Sequence, residues 1–235
     1  KGDLSMKIIG YAVLLLLISC PLFASNPVLP STAETVVPYR LSEQEKKDGY
    51  RLLFDGTTLD GWINNSDEYI LENGCIAKKA SGFGNLYSED SYCNFVLKFE
   101  FQLTPGANNG LGLRHIIVPE GYLGMELQIL DNDDPQYKDL KPYQYHGGLY
   151  NYAPAKRGYL KPVGEWNQQE VIARGANIKI ILNGTVILDT NIKKVIKDIP
   201  YDKVQSGLRN SCGHIAFLGH DSVVRFRYIR IKVLD

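Results

Sequence analysis

Residues 125–132 read MELQILDN, where Glu126, Gln128 and Asp131 interrupt an otherwise apolar strand. A strand that buries one face has no packing reason to carry two carboxylates and an amide within six residues. The chemistry such a trio offers is proton transfer, with a carboxylate as base and the amide fixing a polar ligand. Strict alternation puts Glu126 and Gln128 on one face and turns Asp131 to the other, so a site using both carboxylates requires a bulge between them.

Other residues have the types and settings to assist. His146 in YQYHGG and His220 in FLGHDS lie where a strand meets a turn, and an imidazole titrating near neutrality suits proton transfer. With Glu126 they form the catalytic candidates, each competing with an ordinary structural histidine or an arginine-paired carboxylate. Arg114 ends GLGLR, where Gly110 and Gly112 allow close approach to the backbone. As a fixed cation it can hold Glu126 ionised or stabilise developing negative charge. Lys156 and Arg157, with Tyr145, Tyr150 and Tyr159, read as a loop wall around a sugar or as a solvated loop with aromatic packing. Arg114, Gln128, Asp131, Tyr150 and Lys156 are the binding candidates. DNDDP lacks the spacing of a calcium loop, and no zinc spacing, nucleotide loop or G-x-S-x-G elbow occurs, so no metal and no cofactor is expected.

The elements that must position these residues are short strands. NFVLKFEFQL alternates cleanly, with Phe95, Leu97, Phe99, Phe101 and Leu103 on one face. Asn183-Gly184 between IKIIL and TVILD is a strong hairpin signal. About eleven strand-like runs, among them GGLYNY, follow Tyr50 without an internal repeat or a second long amphipathic helix. That pattern excludes βαβ winding and predicts an all-β, two-sheet antiparallel sandwich. Ser42 and Glu45 form an S-x-x-E capping box, predicting one short helix that closes at Gly49. Trp62 and Trp166 are read as core residues.

The 235 residues carry 26 basic and 26 acidic side chains. This balance gives no electrostatic case for nucleic acid or an anionic membrane surface. Met6-Lys7 followed by IIGYAVLLLLIS reads as an export signal, with KGDLS as extra upstream residues. The segments are 1–24, signal; 25–48, linker and short helix; and 49–235, the folded domain. Cleavage after Ala24 gives a soluble exported protein, whereas the lipobox-like LISC would leave a lipid anchor at Cys20. Beyond Cys20 only Cys75, Cys93 and Cys212 remain, which allows at most one bridge, with Cys75 and Cys93 as readily free thiols as partners.

Taken together, LLFDGTTLDGW (52–62), LTPGANNGLGLR (103–114), GMELQILDN (124–132), PYQYHG (142–147), PAKRGYLKPVGEWN (154–167), LNGTVILD (182–189) and the 213–234 stretch resemble the 3-keto-disaccharide hydrolase domain family, common in exported proteins of Bacteroides and relatives. The resemblance runs from about Gly49 to the last residue. It implies a concanavalin A-like jelly roll and activity on glycosides with a ketone at carbon 3. Laminarinase-type glucanases use E-x-D-x-x-E on the catalytic strand. Here the middle acid is Gln128 and the last is the shorter Asp131, which weakens a mechanism needing two carboxyls ~5–5.5 Å apart. A 3-ketone instead acidifies the hydrogen on carbon 2, so one base, one enolate donor and one leaving-group acid suffice. The expectation is an exported hydrolase with a carbohydrate substrate. A non-catalytic carbohydrate-binding module is the alternative, and an adhesion domain a third reading.

Overall fold

The computed structural model describes residues 36–64, 66–118 and 121–235. The export signal, the Cys20 lipobox and most of the linker lie outside them. Among the described residues the strands are β1 (Arg51–Phe54), β2 (Trp62–Asn64), β3 (Tyr69–Glu72), β4 (Cys75–Lys78), β5 (Asn85–Tyr92), β6 (Phe95–Leu103), β7 (Asn108–Val118), β8 (Gly121–Leu130), β9 (Trp166–Arg174), β10 (Asn177–Leu182), β11 (Thr185–Asn191), β12 (Gly213–Gly219) and β13 (Val224–Val233). Two short helices, α1 (Glu43–Lys47) and α2 (Ile192–Val195), accompany them.

The strands form two antiparallel sheets. One runs β11-β10-β9-β6-β13-β4-β3, with β1 also paired to β13; the other runs β2-β5-β12-β7-β8. The alternating residues of β6, Phe95 to Leu103, are all buried. They meet side chains of the second sheet, as where Phe99 packs on Phe217, which stacks on Phe226 with ring centroids 3.9 Å apart. Trp62 is buried, whereas Trp166 is half-buried, with the Arg227 guanidinium 3.9 Å above its ring. This is the expected sandwich, because each sheet has one apolar face and the only cover for it is the other sheet.

Local chemistry sets the turns. Asn183 and Gly184 both have positive φ, the primed turn that joins β10 to β11 with matching twist. GGLYNY forms no full strand; Leu149 makes only isolated bridges to Leu127 and Ala153. NLYSEDSY is strand β5, although exposed Glu89, Asp90 and Ser91 break its apolar pattern. The disulfide joins Cys93 to Cys212 and leaves Cys75 buried and free. It ties the β5–β6 turn to the segment entering β12, a pairing that spacing could not reveal.

Helix α1 buries none of its own residues, and its capping box is complete. It is held by Glu45, which accepts hydrogen bonds from Arg230 and Tyr228 on β13. Burial alone would raise the Glu45 carboxyl, but the bonds from Arg230, Ser42 and Tyr228 bring it down from 4.5 to about 2. Since the folded value lies below the unfolded one, this carboxylate stabilises the fold above about pH 4.5 and loses that effect as pH falls toward 2. Urea unfolding is expected to find Glu45→Gln less stable than wild type near neutral pH, with the difference shrinking through this acid range.

Candidate functional site

The β7–β8 ladder runs without interruption from Asn108↔Leu130 to Leu113↔Met125. Met125, Leu127 and Ile129 point into the core, so Glu126 and Gln128 share the outer face. No bulge intervenes before Asp131. Its carboxylate instead accepts hydrogen bonds from the Gly106 and Asp133 amides, 3.0 and 3.4 Å away, and holds the 104–107 turn. The two carboxylates of MELQILDN do not converge.

Opposite Glu126 and Gln128 in the register stand Gly112 and Gly110. A Cβ on Gly110 would overlap Glu126 Oε1, so this glycine is what lets the carboxylate lie across the sheet. The other edge of β8 is covered by the 147–150 segment: Gln128 donates to Gly148 O, Gly147 to Gln128 O, and Tyr150 to Glu126 O. That pairing brings Tyr150 beside Glu126. Tyr150 Oη accepts from Gln144 at 2.9 Å, and its ring meets Tyr143 edge-on. A cleft of about 610 Å³ opens here, lined by Glu126, Tyr150, Asn151, Tyr152 and residues Asp202 to Gln205. Glu126 is partly buried, and among the described residues its carboxylate makes no hydrogen bond or ion pair. Burial alone raises its carboxyl from 4.5 to about 7.

Gln128 donates to Asn108 at 2.8 Å. Asn108 in turn lines a second cleft, of about 540 Å³, with His220, Ser222, Thr104, Tyr137 and the exposed Phe83. His220 packs edge-on against Phe83. Burial lowers its pKa, with Asp221 opposing the shift and Lys78 adding to it. Gln128 thus stands between Glu126, about 7 Å away along β8 at ~3.3 Å per residue, and Asn108 at the His220 cleft, though it lines neither cleft itself.

The remaining candidates lie elsewhere. His146 is buried between the sheets, stacked on Phe101 with Nε2 3.0 Å from Gln169 Oε1, and burial lowers its pKa to about 4. Lys156 is exposed on its loop, its amide bonded to Ile187 O. Arg157 lies over the Tyr145 ring. Arg114 has φ +54 at a register shift in β7, and its guanidinium turns to the carbonyls of Cys93 and Gly175. The same bulge places His115 against Gly112 and Gly124, on the Glu126 face, where plain alternation would have set Arg114. His115 Nε2 lies 2.9 Å from Met125 O, and burial lowers its pKa to about 4. The sequence signals this exchange only through the glycines that make room for the ring.

Glu126 has a direct thermodynamic signature. Between about 4.5 and 7 the folded state binds a proton that the unfolded state has released, so stability falls as pH rises through this window. Glu126→Gln is expected to remove that fall and to gain on wild type as pH rises from 4.5 to 7, measured by thermal unfolding. Gly110→Ala is expected to displace the carboxylate and shift its NMR titration back toward 4.5.

Residues 49–232 match the family model described as a 3-keto-alpha-glucoside-1,2-lyase-like domain. A curated 3-keto-disaccharide hydrolase of Bacteroides thetaiotaomicron is 28% identical over 238 residues, spanning 80% of this chain and 79% of the relative. Two crystal structures of proposed glycosyl hydrolases from Parabacteroides distasonis superpose closely. One has a TM-score of 0.74 and 24% identity, covering 85% of this chain and 100% of its own. The other has a TM-score of 0.68 and 25% identity, covering 79% and 99%.

Proposed function

The chain belongs to the 3-keto-alpha-glucoside-1,2-lyase-like domain family, and on that premise we propose that it hydrolyses glycosides whose sugar carries a ketone at carbon 3, with Glu126 as the base. The observation that carries this reading is one carboxylate, desolvated and without a partner, lying over Gly110 at the wall of an open cleft. Its value of about 7 suits a base working near neutral pH. The name of the Bacteroides relative, a 3-keto-disaccharide hydrolase, supports the substrate class. The lone carboxylate favours elimination over double displacement, since Asp131 is committed to the 104–107 turn.

Glu126 takes the hydrogen on carbon 2, and the electron pair of that bond moves onto the 3-keto oxygen as an enolate. The enolate collapses, the bond from carbon 1 to the glycosidic oxygen breaks, and the departing oxygen takes the proton that Glu126 has just accepted, which returns the carboxylate to its ionised form. Water then adds across carbons 1 and 2, its hydroxyl to carbon 1 and a proton to carbon 2, giving a 3-keto sugar and a free alcohol. The Tyr150 hydroxyl and the Lys203 ammonium, both on the cleft wall, are the donors for the enolate oxygen. The His220 cleft takes the departing group, with Phe83 as an apolar platform and Asn108 and Ser222 as hydrogen-bonding partners. Export is part of the proposal, supported by the apolar segment after Lys7 and by the Cys93–Cys212 bridge, a bond that persists in oxidising compartments.

With a 3-keto-disaccharide as substrate, Glu126→Gln is expected to lower kcat by roughly 10²–10⁴-fold, the usual contribution of a general base. In the wild type, kcat/KM is expected to rise with pH and level off above about 7, because only the ionised carboxylate accepts the proton. Unchanged turnover in Glu126→Gln removes Glu126 as the base, and binding without turnover by the wild type across a panel of such substrates refutes the enzyme reading.

A further inference from the structure

At the end of the sandwich marked by the disulfide lies a buried positive charge with no acidic partner. Arg114 is 3% exposed. Its Nε and Nη1 donate to the Cys93 and Gly175 carbonyls at 2.9 and 2.8 Å. Its Nη2 is buried and has no hydrogen-bond partner. Burial lowers its pKa, and no neighbouring carboxylate opposes that shift. Holding a guanidinium this way is unfavourable unless its field and its remaining N–H groups serve something else.

What adjoins it is a cleft of about 470 Å³, within the ~300–1,000 Å³ common for small-molecule sites. Two further cations, Lys193 and Arg209, line it, and no acidic side chain does. Its apolar wall is formed by Ile192, Ile196 and Leu208. No lining residue is shared with the Glu126 cleft.

We propose that this cleft binds a small carboxylate with an apolar body, its charge taken by Arg114 Nη2 and Lys193 and its body by Ile192, Ile196 and Leu208. One guanidinium nitrogen remains free, enough for one carboxylate oxygen. A phosphate would leave further charged oxygens facing the aliphatic wall, and a neutral sugar would not answer the uncompensated charge. The 199–211 segment contributes to both clefts, at different residues.

Calorimetric titration of the full chain with octanoate, benzoate, octanol and inorganic phosphate tests this. Saturable binding of at least one of the two carboxylates is expected, with octanol and phosphate each at least about tenfold weaker, a difference of ~1.4 kcal/mol. Arg114→Gln and Lys193→Glu are each expected to weaken the carboxylate at least about tenfold. Arg114→Gln also removes two bonds to the backbone, so Ser211→Trp, which fills the cleft from its exposed rim, provides the independent check: binding lost with the melting temperature retained. Failure of both carboxylates to bind, equal affinity for octanol or phosphate, or binding indifferent to Lys193→Glu and Ser211→Trp overturns the proposal.

Discussion

A carboxylate removed from water and given no cation keeps its proton to higher pH than one in solution, because desolvation penalises only the charged form. Glu126 is in that state, and the surrounding backbone is arranged to allow it. Gly110 leaves the space its carboxylate occupies. The 147–150 segment satisfies the edge of β8 with backbone bonds and brings Tyr150 alongside without supplying a charge. An arginine at hydrogen-bonding distance would have held Glu126 well below neutrality and made it a poor proton acceptor.

Register decides which groups share the face with it. An uninterrupted ladder across 125–130 sends Asp131 to the 104–107 turn and leaves one carboxylate in the cleft. Four residues beyond Gly110, the irregularity at Arg114 acts in the opposite sense. It turns a guanidinium away toward the Cys93 and Gly175 carbonyls and brings a neutral imidazole, His115, onto the Glu126 face of the sheet, against Gly112 and Gly124. Had β7 stayed regular, alternation would have left a permanent cation on the face that carries Glu126. The regular ladder before Asp131 and the irregularity at Arg114 together leave neither a second carboxylate nor an arginine on the face that carries Glu126.

Much of this was legible in the sequence. The alternation of Phe95 to Leu103, the Asn183-Gly184 turn and the Ser42/Glu45 box are local signals, and the structure uses each of them. The pairing of Glu126 with Gln128 follows from the two-residue period alone. Other features depend on long-range geometry and left no local trace. Strand β5 hides behind exposed Glu89, Asp90 and Ser91, because Leu86, Tyr87 and Ser88 are buried in succession and leave no two-residue alternation to read. The Cys93–Cys212 bridge joins positions 119 residues apart. His146 sits in a turn like a site residue but is buried against Phe101, since the loop that carries it folds between the sheets. Arg114 and His115 trade faces through a single left-handed residue, which composition does not announce.

The proposed chemistry turns on one step, removal of the hydrogen on carbon 2 by Glu126 before the glycosidic bond breaks. Its most direct measurement is turnover of a 3-keto-disaccharide in deuterium oxide, with the early product examined by proton NMR before spontaneous exchange. Deprotonation at carbon 2 requires solvent deuterium at that carbon in the product released by the wild type, appearing at the rate of turnover. Full turnover with the original hydrogen retained at carbon 2 would mean direct displacement at carbon 1, and would contradict the role given to Glu126.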